Sequence, residues 1–369
     1  MENAYTSDGV VPGRYWHALA DGRIQCDLCP RECKLHEGQR GLCFVRARTS
    51  DQIVLTTYGR SSGFCLDPIE KKPLNHFLPG TAVLSFGTAG CNLTCKFCQN
   101  WDISKALALD RLQQQASPQA IAQAARATGA RSVAFTYNDP VIFLEYAVDV
   151  AAACREVGLQ TVAVTAGYIG ELARPEFFAA MDAANIDLKA FTEGFYKQLC
   201  TGSLDAVLAT LLYVKHETKT WLEITTLLIP GKNDSSDEVG ALCEWVATRL
   251  GPDVPLHLTA FHPDWKMLDV PQTLPSTLKR AREIALRTGL RYIYTGNVHD
   301  EAAQSTYCHG CGARLIGRDW WGLGLGGRCA ACGETCPGLF EALPGRLGSK
   351  ARVLGYRRGM TEHSPPTAQ

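Results

Sequence analysis

Seven short runs of β-branched and apolar residues recur between residues 81 and 297: "TAVLSFGTAG" (81–90), "SVAFTYN" (132–138), "QTVAVTAG" (160–167), "NIDLKAF" (185–191), "WLEITTLLIP" (221–230), "PLHLTAF" (255–261) and "RYIYTGN" (291–297). Each reads as a buried strand. Helical stretches with clear start and stop signals separate them. "SPQAIAQAARATG" opens on an N-capping Ser with Pro at the first helical position and closes on Gly, and "FLEYAVDVAAACREVG" also ends in Gly. "SSDEVGALCEWVATRLG" and "LPSTLKRAREIALRTG" follow the same grammar. Strand–helix units in series demand a parallel sheet. They are too many and too evenly spaced for one nucleotide-binding half, which favours a complete or partial (β/α) barrel over an open Rossmann-like sheet. In a barrel, chemistry belongs at the C-terminal ends of the strands. Polar residues collect there: Thr136, Tyr137, Asn138 and Asp139, then Thr165, Asp187 with Lys189, His262 and Asn297.

Charge narrows the partners. Lys+Arg and Asp+Glu number 37 each in 369 residues, so no electrostatic footprint for nucleic acid or anionic lipid exists. The N-terminus lacks a basic, then apolar, secretory signature, and no apolar run reaches the roughly 18 residues of a membrane helix. These features predict a soluble, cytoplasmic protein with no membrane association. Its 16 cysteines therefore point to metal ligation more than to disulfides.

The cysteines fall in three clusters. In "AGCNLTCKFCQNW" (89–101), Cys91, Cys95 and Cys98 follow the first barrel strand with Cys-x3-Cys-x2-Cys spacing. A structural zinc ion takes four protein ligands, so a zinc loop would have to borrow one from elsewhere. Iron–sulfur cubanes are held by Cys thiolates, and three leave one iron open to a small molecule. Near the C-terminus, Cys308, Cys311, Cys329 and Cys332 have zinc-ribbon spacing, with a rubredoxin-like iron as the alternative. Cys26, Cys29, Cys33 and Cys43 suit zinc or a second [4Fe–4S] cluster. The chain thus divides into a Cys-rich N-terminal module (1–70), a barrel (71–299), a zinc-ribbon-like module (300–345) and a flexible tail (346–369).

The triplet after a first barrel strand resembles the radical SAM superfamily. That resemblance implies a partial (β/α)6-type barrel whose cluster-bound open iron takes the amino and carboxylate groups of S-adenosylmethionine (SAM). One electron then cleaves SAM to methionine and a 5′-deoxyadenosyl radical, which abstracts hydrogen from a substrate. Phe97 matches the superfamily's aromatic between the second and third cysteines. "DPIEKKPLNHFLPG", "GCNLTCKFCQNWDIS", "AFTYNDP", "NIDLKAF", "WLEITTLLIPGKND" and "HLTAFHPDWKM" together resemble the AmmeMemoRadiSam-system radical SAM enzymes, relatives of pyruvate formate-lyase activating enzymes. Asp139 stands where that family's pattern leads one to expect Glu.

By the same resemblance, "TYNDP" replaces the "GGE" turn, placing Thr136, Tyr137, Asn138 and Asp139 toward the SAM amino group; a polar turn is the plainer reading of these residues. Thr165 and Gly167 would flank the ribose or the methionine carboxylate. Asp187 and Lys189 would be the catalytic pair near the adenosyl group or the substrate. Glu223, Thr225, His257 and His262 are weaker site candidates, more often core or surface residues, and Trp101 would cover the cluster. A flavodoxin- or ferredoxin-type electron donor is implied. The target is either a protein that receives a glycyl radical or a small molecule or peptide, handled with partner proteins. The rival class is a metal-stabilised zinc-ribbon adaptor without catalysis.

Overall fold

The computed structural model of the chain describes residues 9–105, 114–318, 327–340 and 352–354. Seven parallel strands form its centre: β1 (Ala82–Phe86), β2 (Ser132–Phe135), β3 (Gln160–Thr165), β4 (Ala183–Asp187), β5 (Trp221–Leu228), β6 (Leu256–Ala260) and β7 (Ile293–Gly296). Each pairs with the next in the chain. An open nucleotide-binding sheet reverses its strand order part-way. Here the order never reverses, so the crossovers fall on one side and the sheet curls into a partial barrel. Five longer helices lie among those crossovers: α1 (Pro118–Ala127), α2 (Leu144–Glu156), α3 (Leu204–Glu217), α4 (Ser236–Arg249) and α5 (Pro275–Arg287). The Ser117 side chain caps α1, accepting from the Ala120 amide at 3.2 Å.

An antiparallel strand, Phe64–Pro68, extends the sheet beyond β1, and Arg352–Leu354 pairs with it in turn. The sheet therefore begins ahead of residue 71. The rest of the segment expected to form a flexible tail lies outside the described residues.

Side chains alternate across a strand, and the core divides accordingly. Leu84, Phe86, Val133, Phe135, Ala163, Ala184, Ile186 and Leu258 pack in the large core with the helices. Val83, Ala134, Val162 and Ala183 form a separate cluster with Ile69, Leu74, Phe77 and Leu78. The segment 69–78 therefore plugs the end of the barrel where the strands begin.

One buried carboxylate locks this plug. Glu223, with no exposed surface, accepts from the amides of Asn75 (2.9 Å) and His76 (2.7 Å) and from the Trp221 indole (3.0 Å). His257 Nε2 lies 2.7 Å from the same group. Burial works against the Glu223 charge, but His257 and the other donors outweigh it and hold the carboxyl below its ordinary range. Glu223 and His257 are thus fully occupied in fixing the barrel floor. His262 is exposed, on the loop after β6.

The C-terminal module is fastened beneath that floor. The Leu78 amide donates to the Leu339 carbonyl at 2.8 Å, the Leu339 amide donates to the His76 carbonyl at 2.7 Å, and Arg318 donates to the Asn75 carbonyl at 2.6 Å. His76 sits in the seam, fully buried, with Nδ1 2.6 Å from the Pro337 carbonyl and Nε2 2.6 Å from the Tyr294 hydroxyl. A carbonyl only accepts, so Nδ1 carries the proton and Nε2 accepts. Burial drives the His76 pKa down from 6.5 to about 4. A depressed folded-state value contributes stability that is present above the unfolded pKa and lost as pH falls through the folded one. The stability difference between wild type and His76→Gln should therefore shrink by about 3 kcal/mol between pH 6.5 and 4. Paired denaturant titrations across that window check it.

At the other end of the chain, two small antiparallel sheets form the N-terminal module: Trp16–Ala18, Ile24–Cys26 and Cys33–Leu35 in one, and Val11–Pro12, Arg46–Thr49 and Gln52–Leu55 in the other. Arg46, 1% exposed, joins this module to the barrel. Its two terminal nitrogens donate to the two Glu145 oxygens at 2.8 Å each, in the first turn of α2. A further 2.8 Å bond reaches the Arg14 carbonyl.

Candidate metal and cofactor site

The cysteine loop leaves β1 through Gly87 and Gly90. At Gly87, an added Cβ would overlap the Thr136 carbonyl and lie 2.7 Å from Asn138 Oδ1. Gly90 has φ +82°, and its Cβ would collide with the Cys43 carbonyl. Only glycine permits this approach at either position. Beyond them, Cys95 is buried while Cys91 and Cys98 are partly covered. The Thr94 and Lys96 amides donate to the Cys200 and Leu199 carbonyls at 3.0 and 2.9 Å. Lys105 Nζ closes the loop on the Leu93 carbonyl at 2.6 Å. Phe97 is buried against Phe195 with ring centroids 5.6 Å apart.

Residues predicted to touch the cofactor gather around this loop in different roles. Asn138 directs its amide at the loop backbone, donating to the Gly90 carbonyl at 2.9 Å and accepting from the Thr88 amide at 3.2 Å. Asp139 accepts from the Thr165 hydroxyl (2.8 Å), the Val141 amide (3.1 Å) and the Ala166 amide (3.2 Å). The shorter side chain thus suffices for contacts with the next strand. Burial raises the Asp139 pKa to about 6 against the opposing effect of these donors. Thr165 Oγ1 also accepts from the Gly167 amide at 3.0 Å. Tyr137 adopts φ +72°, and its ring carries Lys72 Nζ 4.8 Å from the centroid. Thr136 is buried at the end of β2.

β4 ends at Asp187, and Lys189 lies in the loop just after it. Lys189 Nζ nevertheless returns to Asp187 Oδ2 at 2.7 Å. Although burial opposes its charge, the Asp187 carboxylate and the Cys95 and Cys200 sulfurs hold the ammonium well above its ordinary range. A fixed positive charge thus stands beside the cysteine loop. Trp101 is 39% exposed and stacks on Trp265 at 4.9 Å between ring centroids, donating to Asp264 at 3.0 Å.

Ser85, Asn185, Asp67 and Cys200 were not legible as site candidates; Thr225, already a weaker candidate, lies with the first two. The Ser85, Asn185 and Thr225 side-chain oxygens are buried without a partner, all on the alternating positions that face the barrel interior. Asp67, reaching in from the antiparallel strand, pairs with buried Lys72 at 2.8 Å and accepts from Cys65 at 3.4 Å. The charged pair in "DPIEKKP" was the available signal. Cys200 is the other addition: its thiol contacts Cys95, and burial pushes its pKa well up. Its protonated thiol faces Cys95.

The three cysteine clusters differ in spacing. Among the described residues, only Cys308, Cys311, Cys329 and Cys332 bring three or more potential ligand atoms within 4.8 Å of one another. Their sulfurs approach to 3.6 Å (Cys308–Cys332) and 3.5 Å (Cys311–Cys329). Two tight turns present them: the Gly312 amide donates to the Cys308 carbonyl at 2.9 Å, and the Gly333 amide to the Cys329 carbonyl at 2.8 Å. Zn–S bonds of about 2.3 Å place tetrahedral thiolates about 3.8 Å apart, so the donor set fits one such ion, zinc or iron. Cys332→Ser should lower zinc from about one equivalent per chain to a small fraction, measured by elemental analysis of the purified protein. The Cys91–Cys95–Cys98 set is wider, as a cube with a different iron under each thiolate requires. Three thiolates beside buried donors fit a [4Fe–4S] cluster with one iron free for SAM.

The family model described as the Radical SAM superfamily matches residues 86–245. A Methanocaldococcus jannaschii protein named as uncharacterized protein MJ0808 is 37% identical over 326 residues, 87% of this chain and 97% of that one. Among solved structures, the chain is similar to a radical SAM methyltransferase from Sphaerobacter thermophilus (15% identity, 83% of this chain and 81% of that one, TM-score 0.47). It is also similar to a domain of pyruvate-formate lyase-activating enzyme from Bacteroides vulgatus (18% identity, 45% of this chain and 99% of that domain, TM-score 0.40). Among the described residues, no helix is long and apolar enough to cross a membrane.

Proposed function

The chain belongs to the radical SAM superfamily, and from that premise we propose that it cleaves SAM reductively and abstracts hydrogen from a polar segment of a substrate admitted to the barrel. The observation that carries this reading is the three-cysteine loop at the open end of the barrel, with Lys189 and Asp187 beside it. When bound, the cluster supplies the electron that breaks the carbon–sulfur bond of SAM. This chain's residues do the rest. Cys91, Cys95 and Cys98 hold the metal, and Asn138 fixes the loop backbone that carries them. Asp139 and Thr165 set the turn after β3, where Gly167, at φ +65°, packs closely on Ile186. Lys189 keeps a positive charge at the site, oriented by Asp187, to meet a carboxylate of cofactor or substrate.

The unpartnered Ser85, Asn185 and Thr225 oxygens favour a substrate that brings its own hydrogen-bonding groups, because a buried polar atom left unpaired is costly. A peptide or small polar molecule meets that demand, as does a protein offering a loop for activation, the role suggested by likeness to pyruvate formate-lyase activating enzymes. The electron is taken from a flavodoxin- or ferredoxin-type carrier. The test is anaerobic incubation of iron-loaded protein with SAM and dithionite. Methionine and 5′-deoxyadenosine should accumulate in equal amounts. A chain that holds zinc alone and makes neither product is a metal-stabilised binding module, and the proposal is then wrong.

A further inference from the structure

The N-terminal cysteines occupy a site of their own. Cys26 and Cys33 face each other across adjacent strands, and with Cys29 and Cys43 they line one small cavity together with Arg46 and Asn92. No three of the four sulfurs lie mutually within 4.8 Å. That is wider than the C-terminal set and too wide for thiolates sharing one zinc ion, whose edges are about 3.8 Å. The Cys91–Cys95–Cys98 set likewise exceeds that spacing. Four sulfurs lining one cavity, spread more widely than one ion allows, suit a guest in which every thiolate takes a different iron.

Two further features suit such a guest. Arg46 presents a buried guanidinium to the cavity, and its Nε has no partner. A cube bearing four thiolates offers sulfur acceptors, so it would satisfy the idle donor. The cavity also abuts the other cysteine loop. Gly90, just before Cys91, packs on the Cys43 carbonyl, and Asn92, just after it, lines the cavity wall.

We propose that Cys26, Cys29, Cys33 and Cys43 hold a second, fully protein-ligated [4Fe–4S] cluster, set directly against the loop that carries Cys91. This is independent of the SAM reaction proposed above. The test uses full-length chains purified without oxygen, with iron, acid-labile sulfide and zinc measured together. Wild type should carry about eight irons. The combined Cys91→Ala, Cys95→Ala and Cys98→Ala chain should keep about four. Its dithionite-reduced paramagnetic resonance signal should not change on adding SAM, because no iron is open.

Cys29→Ser with Cys33→Ser should remove about four irons and spare the SAM-sensitive signal. If the triple variant has no iron but two zinc equivalents, the site is a zinc site and the inference is overturned. If the Cys29/Cys33 variant keeps all its iron, the inference is overturned as well. The single zinc equivalent at the C-terminal cysteines reports folding in each variant. Should the SAM reading alone fail, wild type and the triple variant would both carry about four irons.

Discussion

Cys95→Ala is expected to lose about four irons per chain and to bring 5′-deoxyadenosine formation down to the background of the assay, while the zinc content stays at wild-type level. Of the three loop cysteines, Cys95 is the most buried. The hydrogen bond from the Cys200 thiol brings its pKa down to about 6, against burial and with help from Lys189 and Lys105. It is therefore poised as a thiolate, the form that binds metal. A cube held at two corners would have neither enough ligands to persist nor the single open position that selects one SAM molecule. Cys200→Ala is the control: since Cys200 donates and does not ligate, that chain should retain its iron. Cleavage surviving in Cys95→Ala would remove the reading of this loop, and iron lost equally in Cys200→Ala would make the loop a four-thiolate site with no vacancy.

Arg46→Met should cost about 3–5 kcal/mol of stability, because removing one partner strands a buried charge. Glu145 would keep the Arg14 amide at 2.6 Å but lose both guanidinium bonds, and burial would then drive its pKa up where Arg46 now holds it down. The Arg14 carbonyl would lose its 2.8 Å donor as well. Arg46→Met combined with Glu145→Leu should recover most of the loss, since a well-packed apolar pair avoids the desolvation of two charges. A double-mutant cycle on denaturant midpoints reads the coupling directly. Equal loss in the single and double variants would mean that packing, not charge, joins the N-terminal module to α2.

Much of the barrel was legible because its strands are read by composition and its helices by their caps. The seven predicted strands all appear, trimmed at their C-terminal ends where the chain turns into loops; "NIDLKAF", for example, becomes a strand that stops at Asp187. Phe64–Pro68 was not legible. It is short, carries Cys, Asp and Pro, and becomes a strand because β1 offers it an edge. The N-terminal strands of two to four residues likewise exist through their pairings.

At the site, spacing singled out Cys91, Cys95 and Cys98 and the C-terminal four as candidate ligands, since coordination imposes spacing on sequence, and the C-terminal four are brought together. Direction is what sequence could not supply. Asn138 turns back on the loop before it and Tyr137 turns toward Lys72. Glu223 and His257 looked like strand-borne site candidates until the 69–78 plug came to lie against them.

That plug makes the barrel a cul-de-sac. With its lower end stoppered by residues 69–78 and backed by the C-terminal module among the described residues, that end is shut to traffic, and the cysteine loop stands at the opposite one. Any macromolecular target must then lend a protruding finger of chain while its bulk waits outside.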